Sequence, residues 1–272
     1  MTPPAWPGLE PIFSHINEIT QALEQVPSLA PGAIVNGLFN RLVALTAENA
    51  SECVGDKLLD DLHDSGLLAR VRGLCSRGES ELEAHWAQRL AQAADVETAL
   101  GSFPYMVEYE ALAAQEVKML RQELPQVQKV LFVGSGPLPL SALLMARAGL
   151  QVEMADYDAA AHACAQSWLR RCEGAERLRC LHGDVAEMTD FGRYDAVVLA
   201  ALVGQNDADK RQFLAHLAAH MRPGQVLLAR SATKLRRVLY CEVAPEMFTE
   251  FEVRQVWHPD GECVNSVVCA RR

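Results

Sequence analysis

The chain has 272 residues, of which 50% are hydrophobic and 22% charged, a composition typical of a folded globular protein. Its net charge is −10, with the whole acidic excess in residues 1–118, so the basic surface that nucleic-acid-binding proteins need is missing. The longest apolar run, residues 196–204, is too short to span a membrane and no Lys or Arg precedes Arg41, so we expect a cytoplasmic protein that binds neither membrane nor nucleic acid.

Residues 11–123 are predicted to be helical almost throughout. Apolar residues recur at three- and four-residue steps in segments 37–50, 57–72, 79–100 and 107–123, and Gly and Pro residues separate these segments. We predict an all-α N-terminal domain over residues 1–123, with about five helices.

From Lys129 onward, short apolar runs alternate with helical patterns. The runs are 129–133, 151–155, 178–182, 195–200 and 225–229, and the helical stretches are 138–149, 159–172 and 209–222. This alternation predicts parallel β-α units, whose strands are buried on both faces. Two last runs, 250–258 and 265–270, are joined by a segment containing the turn dipeptide Asp260-Gly261, which predicts an antiparallel hairpin.

Residues 124–272 are therefore predicted to form a second domain of the α/β class. Five parallel strands followed by a hairpin is the element order of the class I S-adenosylmethionine (SAM)-dependent methyltransferase-like fold, a Rossmann-like doubly wound sheet.

The first predicted strand runs into the sequence VGSGPLPL (133–140) and then into a helix. Gly134 and Gly136, with Ser135 between them, permit a tight turn and close approach of a ligand to the backbone. The third glycine of a dinucleotide-binding loop is absent, and Pro137 and Pro139 remove backbone amides that a pyrophosphate would need. The loop therefore favours SAM, which carries no phosphate, over NAD.

Polar or small residues follow the next three strands, at the edge where ligands bind in this fold. An acid after the second strand would accept hydrogen bonds from the ribose hydroxyls, and one after the third from the adenine amino group. The alternative is that these acids serve only as helix caps. The predicted cofactor-binding residues after these strands are Asp156, Asp158, Asp184, Val185, Ala200, Ala201 and Leu202.

Read with their neighbours, these residues resemble the nicotianamine synthase family. The similar stretches are LCSRGESELEAHWAQRL (74–90), FPYMVEYEALAAQE (103–116), VLFVGSGPLPLSALLMA (130–146), YDAVVLAALVGQ (194–205), LLARSATKLRRVLY (227–240) and WHPDGECVNSVVCARR (257–272). The resemblance implies that an amine attacks the γ-carbon of the aminobutyrate arm of SAM, the co-substrate, and expels 5′-methylthioadenosine. It implies no metal, and neither the eight histidines nor the eight cysteines are spaced as a ligand set.

The resemblance also implies residues that act on the acceptor amine. Glu79 is the acid expected beside that amine, and Glu83 lies one helical turn away on the same face. Tyr105 is expected against the amine or the transferring arm, and Tyr109 faces the same side. The alternatives are a solvated acidic helix face for the glutamates and core packing for Tyr109.

Two amino-acid carboxylates must be held as well, one on SAM and one on the acceptor. Arg230, at the end of the fifth strand, is expected to grip a carboxylate with two hydrogen bonds. Glu116 is expected to bind an amino group or to form an ion pair. His258 is either a substrate contact or a hydrogen-bonded histidine at a strand end.

Differences from the plant synthases bear on the acceptor. Glu108 stands where they have Asn, and Asp156 replaces Asn, so Asp158 is ranked above Asp156 for the ribose. Length and an alanine-rich, Arg-over-Lys composition favour the bacterial opine-metallophore branch of staphylopine and pseudopaline. In that branch, one aminobutyrate unit is transferred to histidine before an opine dehydrogenase acts on the product. The oligomeric state stays open, with a homodimer as one possibility. Three alternatives stay open: condensation of SAM units alone, a small-molecule methyltransferase, and a catalytically silent SAM-binding module.

Overall fold

The computed structural model describes residues 9–47, 52–259 and 263–272. Within them, the chain before the sheet forms α1 (Leu9–Gln25), α2 (Ala33–Ala47), α3 (Glu52–Asp64), α4 (Leu67–Gln92), α5 (Val96–Gly101) and α6 (Met106–Glu123). The predicted helix over 57–72 is two helices because Gly66 adopts a left-handed φ of 72° between α3 and α4. The predicted helix over 79–100 also divides, since the side chain of Asp95 caps the amides of Glu97 and Thr98 and starts α5.

The rest of the chain forms one mixed sheet with helices. Its elements are β1 (Lys129–Val133), α7 (Leu140–Arg147), β2 (Gln151–Asp156), α8 (Ala159–Leu169), β3 (Leu178–His182), β4 (Ala196–Leu199), α9 (Asp207–His220), β5 (Val226–Ser231), β6 (Glu252–Trp257) and β7 (Ser266–Arg271). The strand order is β3-β2-β1-β4-β5-β7-β6. The first five strands pair in parallel, and β7 pairs antiparallel with both β5 and β6.

This order confirms the predicted methyltransferase-like sheet with its C-terminal antiparallel pair. The turn dipeptide Asp260-Gly261, predicted to join the last two strands, lies outside the described residues.

The central strands explain the apolar runs in the sequence. Alternate residues of β1 face opposite sides of the sheet, so Phe132 enters one buried cluster and Leu131 the other. The cluster on the Phe132 side also contains Trp86 and Leu90 of α4. Helices from α4 onward thus share a core with the sheet, and the domain boundary at residues 123 and 124 stays a prediction.

A third apolar cluster holds the first helices in place. Leu42 of α2 and Leu58 of α3 pack with Leu235, Val238 and Leu239, which follow the carboxyl end of β5. Helices α1 to α3 therefore lie near the sheet edge at which parallel strands end. Among the described helices, none is both long and apolar enough to cross a bilayer.

Candidate active site

A cavity of about 2280 Å³ lies between the carboxyl ends of the parallel strands and helices α2, α4 and α6. It is the crevice in which ligands bind in doubly wound sheets. Seventeen of the predicted site residues line it: Glu79, Glu83, Tyr105, Tyr109, Gly134, Ser135, Gly136, Pro137, Asp156, Asp158, Asp184, Val185, Ala200, Ala201, Leu202, Arg230 and His258. Glu116 is the exception.

The loop after β1 is bound to the end of β2 by a carboxylate. Gly134 and Gly136 have φ values of 77° and 62°, which L side chains rarely adopt. The amide of Gly136 donates to Asp156 Oδ2 at 2.7 Å, and the amide of Asp158 donates to Asp156 Oδ1 at 2.9 Å. Asp158 itself caps α8 by accepting from the amides of residues 160 and 161. The structure thus gives Asp156 the contact with the glycine loop, although Asp158 was ranked first.

The side chains of Glu83 and Val203 lie in close contact with this glycine loop. A Cβ at Gly136 would collide with Glu83 Oε2, and one at Gly134 would collide with Val203 Cγ2. The carboxylate of α4 therefore lies directly against the backbone where a SAM-type ligand would approach. This contact joins the predicted acceptor side of the site to its cofactor side.

Glu79 and Glu83 form an acidic pair one turn apart on α4. The hydroxyl of Tyr240 donates to Glu79 Oε2 at 2.9 Å. Burial raises the pKa of Glu79, while the hydrogen bond from Tyr240 and the charge of Arg230 oppose this. Burial raises the pKa of Glu83 well above its ordinary value, and the charges of Glu79 and Asp156 add to the rise. Both carboxyl groups therefore hold a proton more readily than an exposed glutamate does.

The two predicted tyrosines pack on one aromatic ring. The ring centroids of Tyr105 and Tyr109 each lie 5.8 Å from that of Phe103, in edge-to-face geometry. Burial, together with the charges of Glu83 and Glu79, raises the pKa of Tyr109 well above its ordinary value. Its hydroxyl therefore stays protonated and can donate a hydrogen bond inside the cavity.

Arg230 and Glu116 form a buried ion pair instead of two separate substrate contacts. Arg230 Nε and Nη2 donate to the two oxygens of Glu116 at 2.7 and 2.9 Å, and Nη2 also donates to Ser141 Oγ at 2.6 Å. Glu116 is fully buried, so the ion-pair alternative holds for it. Arg230 was expected to bind a substrate carboxylate through two hydrogen bonds. This is wrong for its Nε and Nη2 atoms, because both are bonded to Glu116.

The remaining predicted residues make local contacts at the rim. Asp184 Oδ1 accepts from the amide of Ala186 at 2.9 Å and so orders its own turn. Nδ1 of His258 lies 2.9 Å from the hydroxyl of Ser266, which matches the hydrogen-bonded alternative for this histidine.

Two further residues at the site have no assigned role in the sequence analysis: Tyr240, which lines the cavity, and Lys210, which lies behind it. Tyr240 lies within the similar stretch 227–240, but its partner Glu79 is 161 positions away. Lys210, fully buried on α9, donates from Nζ to the carbonyl of Ala201 at 2.7 Å. Burial lowers the pKa of Lys210 to about 8. A buried lysine within a helical pattern has no distinguishing spacing, so no local signal could have indicated it.

The chain is similar to known proteins in family, in sequence and in fold. The family model described as "Nicotianamine synthase protein" matches residues 8–272. Nicotianamine synthase 3 of Oryza sativa subsp. indica is 37% identical over 274 residues, covering 97% of this chain and 79% of the relative. Nicotianamine synthase 1 of Hordeum vulgare is 38% identical over 271 residues, covering 96% and 81%.

Two solved structures share the fold over almost the whole chain. MtNAS in complex with MTA and tNA superposes with a TM-score of 0.87 at 19% identity, covering 99% of each chain. A point mutant of MtNAS in complex with S-adenosylmethionine gives a TM-score of 0.84 at 21% identity, covering 96% of this chain and 97% of the other.

Proposed function

The chain belongs to the nicotianamine synthase family, and on this premise we propose that it is a SAM-dependent aminocarboxypropyl transferase whose acceptor is the α-amine of histidine. In this reaction the acceptor nitrogen attacks the γ-carbon of the aminobutyrate arm. The N–Cγ bond forms as the Cγ–S bond breaks, and its electron pair neutralises the sulfonium. The second product is 5′-methylthioadenosine.

The glycine loop and its neighbours are proposed to hold SAM. The left-handed glycines give the ligand access to the backbone, and Asp156, at the end of β2, lies where this fold binds a ribose. Asp184, Val185 and residues 200–202 line the same side of the cavity and would enclose the adenine. MtNAS, which shares the fold, has been solved in complex with S-adenosylmethionine and with MTA, which supports SAM as the ligand.

The observation that carries the proposal is the contact between Glu83 and the glycine loop, with Glu79 one turn away. Buried carboxylates beside this loop would attract a cationic sulfonium and a cationic amine. An ammonium is not nucleophilic, so its proton must leave before or during attack. Glu79, with a raised pKa and a hydrogen bond from Tyr240, is proposed to take that proton.

The choice of arm depends on where the acceptor nitrogen is held. A sulfonium has three carbon neighbours, and the one attacked lies in line with the nucleophile. Tyr105 and Tyr109 share the wall of the cavity with Glu79 and would hold the amine on the aminobutyrate side. Arg230 lines the same cavity, but its Nε and Nη2 are bonded to Glu116, so it would not bind a carboxylate through these two atoms.

Histidine as acceptor, and an opine dehydrogenase as consumer of the product, belong to the proposed bacterial opine-metallophore branch. The competing candidate is nicotianamine formation from SAM units alone, which is favoured by the 37–38% identity to plant nicotianamine synthases. A small-molecule methyltransferase is the third candidate, since the fold is shared.

Product analysis by mass spectrometry tests these candidates. The protein is incubated with SAM alone, with SAM and L-histidine, and with SAM and D-histidine. We expect methylthioadenosine and a histidine adduct heavier by one aminobutyrate unit, in a reaction that requires histidine. If product forms from SAM alone, the acceptor is an amine derived from a second SAM molecule and not histidine. Formation of S-adenosylhomocysteine would show methyl transfer and would overturn transfer of the aminobutyrate group.

A further inference from the structure

Two buried polar atoms remain without a hydrogen-bond partner within the part of the chain that the structure describes. They are Glu108 Oε2 and Asn265 Nδ2. Both residues line the active-site cavity, although they lie far apart in the sequence. Leaving such an atom unpaired is unfavourable, so an unpaired acceptor and an unpaired donor at one cavity indicate a ligand that satisfies both.

Glu108 lies on the face of α6 that points into the cavity. Tyr105, Glu108, Tyr109 and Leu112 follow the three- and four-residue spacing of one helical face, and all four line the cavity. Position 108 is in the first turn of α6, where a glutamate often bonds back to the capping residue. No such bond to the Tyr105 amide is found among the described residues, so Glu108 Oε2 is left without a protein partner at the edge of the cavity.

Asn265 lies just before β7, on a different wall. Its backbone carbonyl accepts from Cys263 Sγ at 3.9 Å, and the next residue, Ser266, is bonded to His258. Arg236 donates to the carbonyl of Cys263. The side-chain amide of Asn265 therefore lies close to the cationic Arg236, on a wall of the cavity where an anionic group would bind well.

We propose that Glu108 and Asn265 select the amino acid that accepts the aminobutyrate group. Glu108 accepts a hydrogen bond from an N–H group on the side chain of this amino acid, and Asn265 donates a hydrogen bond to its α-carboxylate. This assignment rests on the proposed transfer to an amino-acid amine and specifies the chemistry of that amino acid. The acceptor carries its nucleophilic amine between an anionic end and a side chain with an N–H group, as histidine does. An amino acid without that N–H, such as alanine, leaves Glu108 unpaired and binds weakly.

Steady-state kinetics with paired acceptors test the assignment. Glu108→Gln and Asn265→Ala are compared with Glu110→Gln, which makes the same charge change on the exposed side of α6. The acceptors are histidine, alanine and histidinamide, which lacks the carboxylate. Binding of histidine to protein saturated with methylthioadenosine is measured by calorimetry, which needs no turnover.

We expect Glu108→Gln to raise the KM for histidine roughly tenfold or more while the KM for SAM changes less than about twofold. Its preference for histidine over alanine should fall by a similar factor. Asn265→Ala should lose the preference for histidine over histidinamide, and Glu110→Gln should match the wild type. Unchanged preferences in both cavity variants, with an active wild type, would overturn this assignment alone. A wild type that neither binds nor modifies any amino acid would overturn the proposed function with it.

Discussion

Lys210 is buried behind the active site, and its charge should make the stability of the protein depend on pH in the alkaline range. Its side chain is fully enclosed, and its ammonium is bonded to the carbonyl of Ala201. Burial lowers its pKa from 10.5 to about 8; the nearby Arg72 adds to the fall, and Cys241 and Asp209 oppose it. A shift of this size corresponds to about 3 kcal/mol.

The sign follows from which state binds the proton. Below pH 8 Lys210 is charged in both states, and the cost of burying the charge is present in full. Between pH 8 and 10.5 the folded protein loses the proton while the unfolded chain keeps it, so this group makes the protein more stable as the pH rises. Lys210→Met removes this dependence and replaces it with a constant loss of the hydrogen bond to Ala201.

Urea denaturation of wild type and Lys210→Met at several values from pH 7 to 10.5 measures the effect. The free energy of unfolding of the wild type minus that of the variant should increase by about 3 kcal/mol across this range. Lys118→Met, at an exposed position on α6, serves as the matched control and should give a difference independent of pH. A flat difference for Lys210→Met would refute the placement of this ammonium in a water-free environment.

Three further predictions concern the site itself. Glu79→Gln should lower kcat about 100-fold or more while the Kd for SAM, measured by calorimetry, changes less than about twofold. Glu116→Gln should lower the free energy of unfolding by about 3–5 kcal/mol, because it leaves the buried charge of Arg230 unpaired. The control Glu123→Gln breaks a partly exposed ion pair and should lower it by less than about 1 kcal/mol in the same urea denaturation assay. Gly136→Ala should weaken SAM binding about tenfold or more, since φ is +62° and the new methyl group meets a carboxylate; Gly149→Ala, at φ +97° with open space around it, should cost stability but leave SAM affinity intact.

Different results would contradict each of these. Equal losses of turnover and SAM affinity in Glu79→Gln would give Glu79 a structural role instead of a role with the acceptor. Similar destabilisation by Glu116→Gln and Glu123→Gln would mean that the inner pair is not desolvated. Normal SAM binding by Gly136→Ala would mean that the glycine loop does not contact SAM.

Much of the fold was predictable because its signals are local. A parallel strand buried on both faces is a continuous apolar run, so β1, β4 and β5 stand out in the sequence. The sequence also indicates which residues line the side of the cavity proposed to hold SAM, since glycines and acids that follow parallel strands meet at one sheet edge. The points at which the N-terminal helices divide could not be predicted, because they depend on single residues such as Gly66 and Asp95.

Contacts between distant segments were the part that sequence could not give. Arg230 was expected to bind a substrate carboxylate, and Glu116 either an amino group or an ion-pair partner. Nothing in the sequence around them shows that they pair with each other across 114 positions. Once both are buried, pairing is far cheaper than leaving either charge alone. The same applies to Tyr240, whose hydroxyl reaches Glu79 only because the turn after β5 packs against the helices.

The packing of α4 explains why acceptor chemistry can be placed on a helix outside the sheet. Trp86 and Leu90 anchor α4 in the core that it shares with the sheet. Arg171, just after α8, donates to the carbonyl of Ala93 at the end of α4, and Trp168 of α8 donates to the carbonyl of Pro137 in the glycine loop. The carboxylates of α4 and the loop proposed to hold SAM are thus fixed to the same helix, α8. In the proposed reaction, this packing would fix the direction from the acceptor amine to the γ-carbon before the substrates bind, which is the preorganisation that in-line attack on one of three carbons requires.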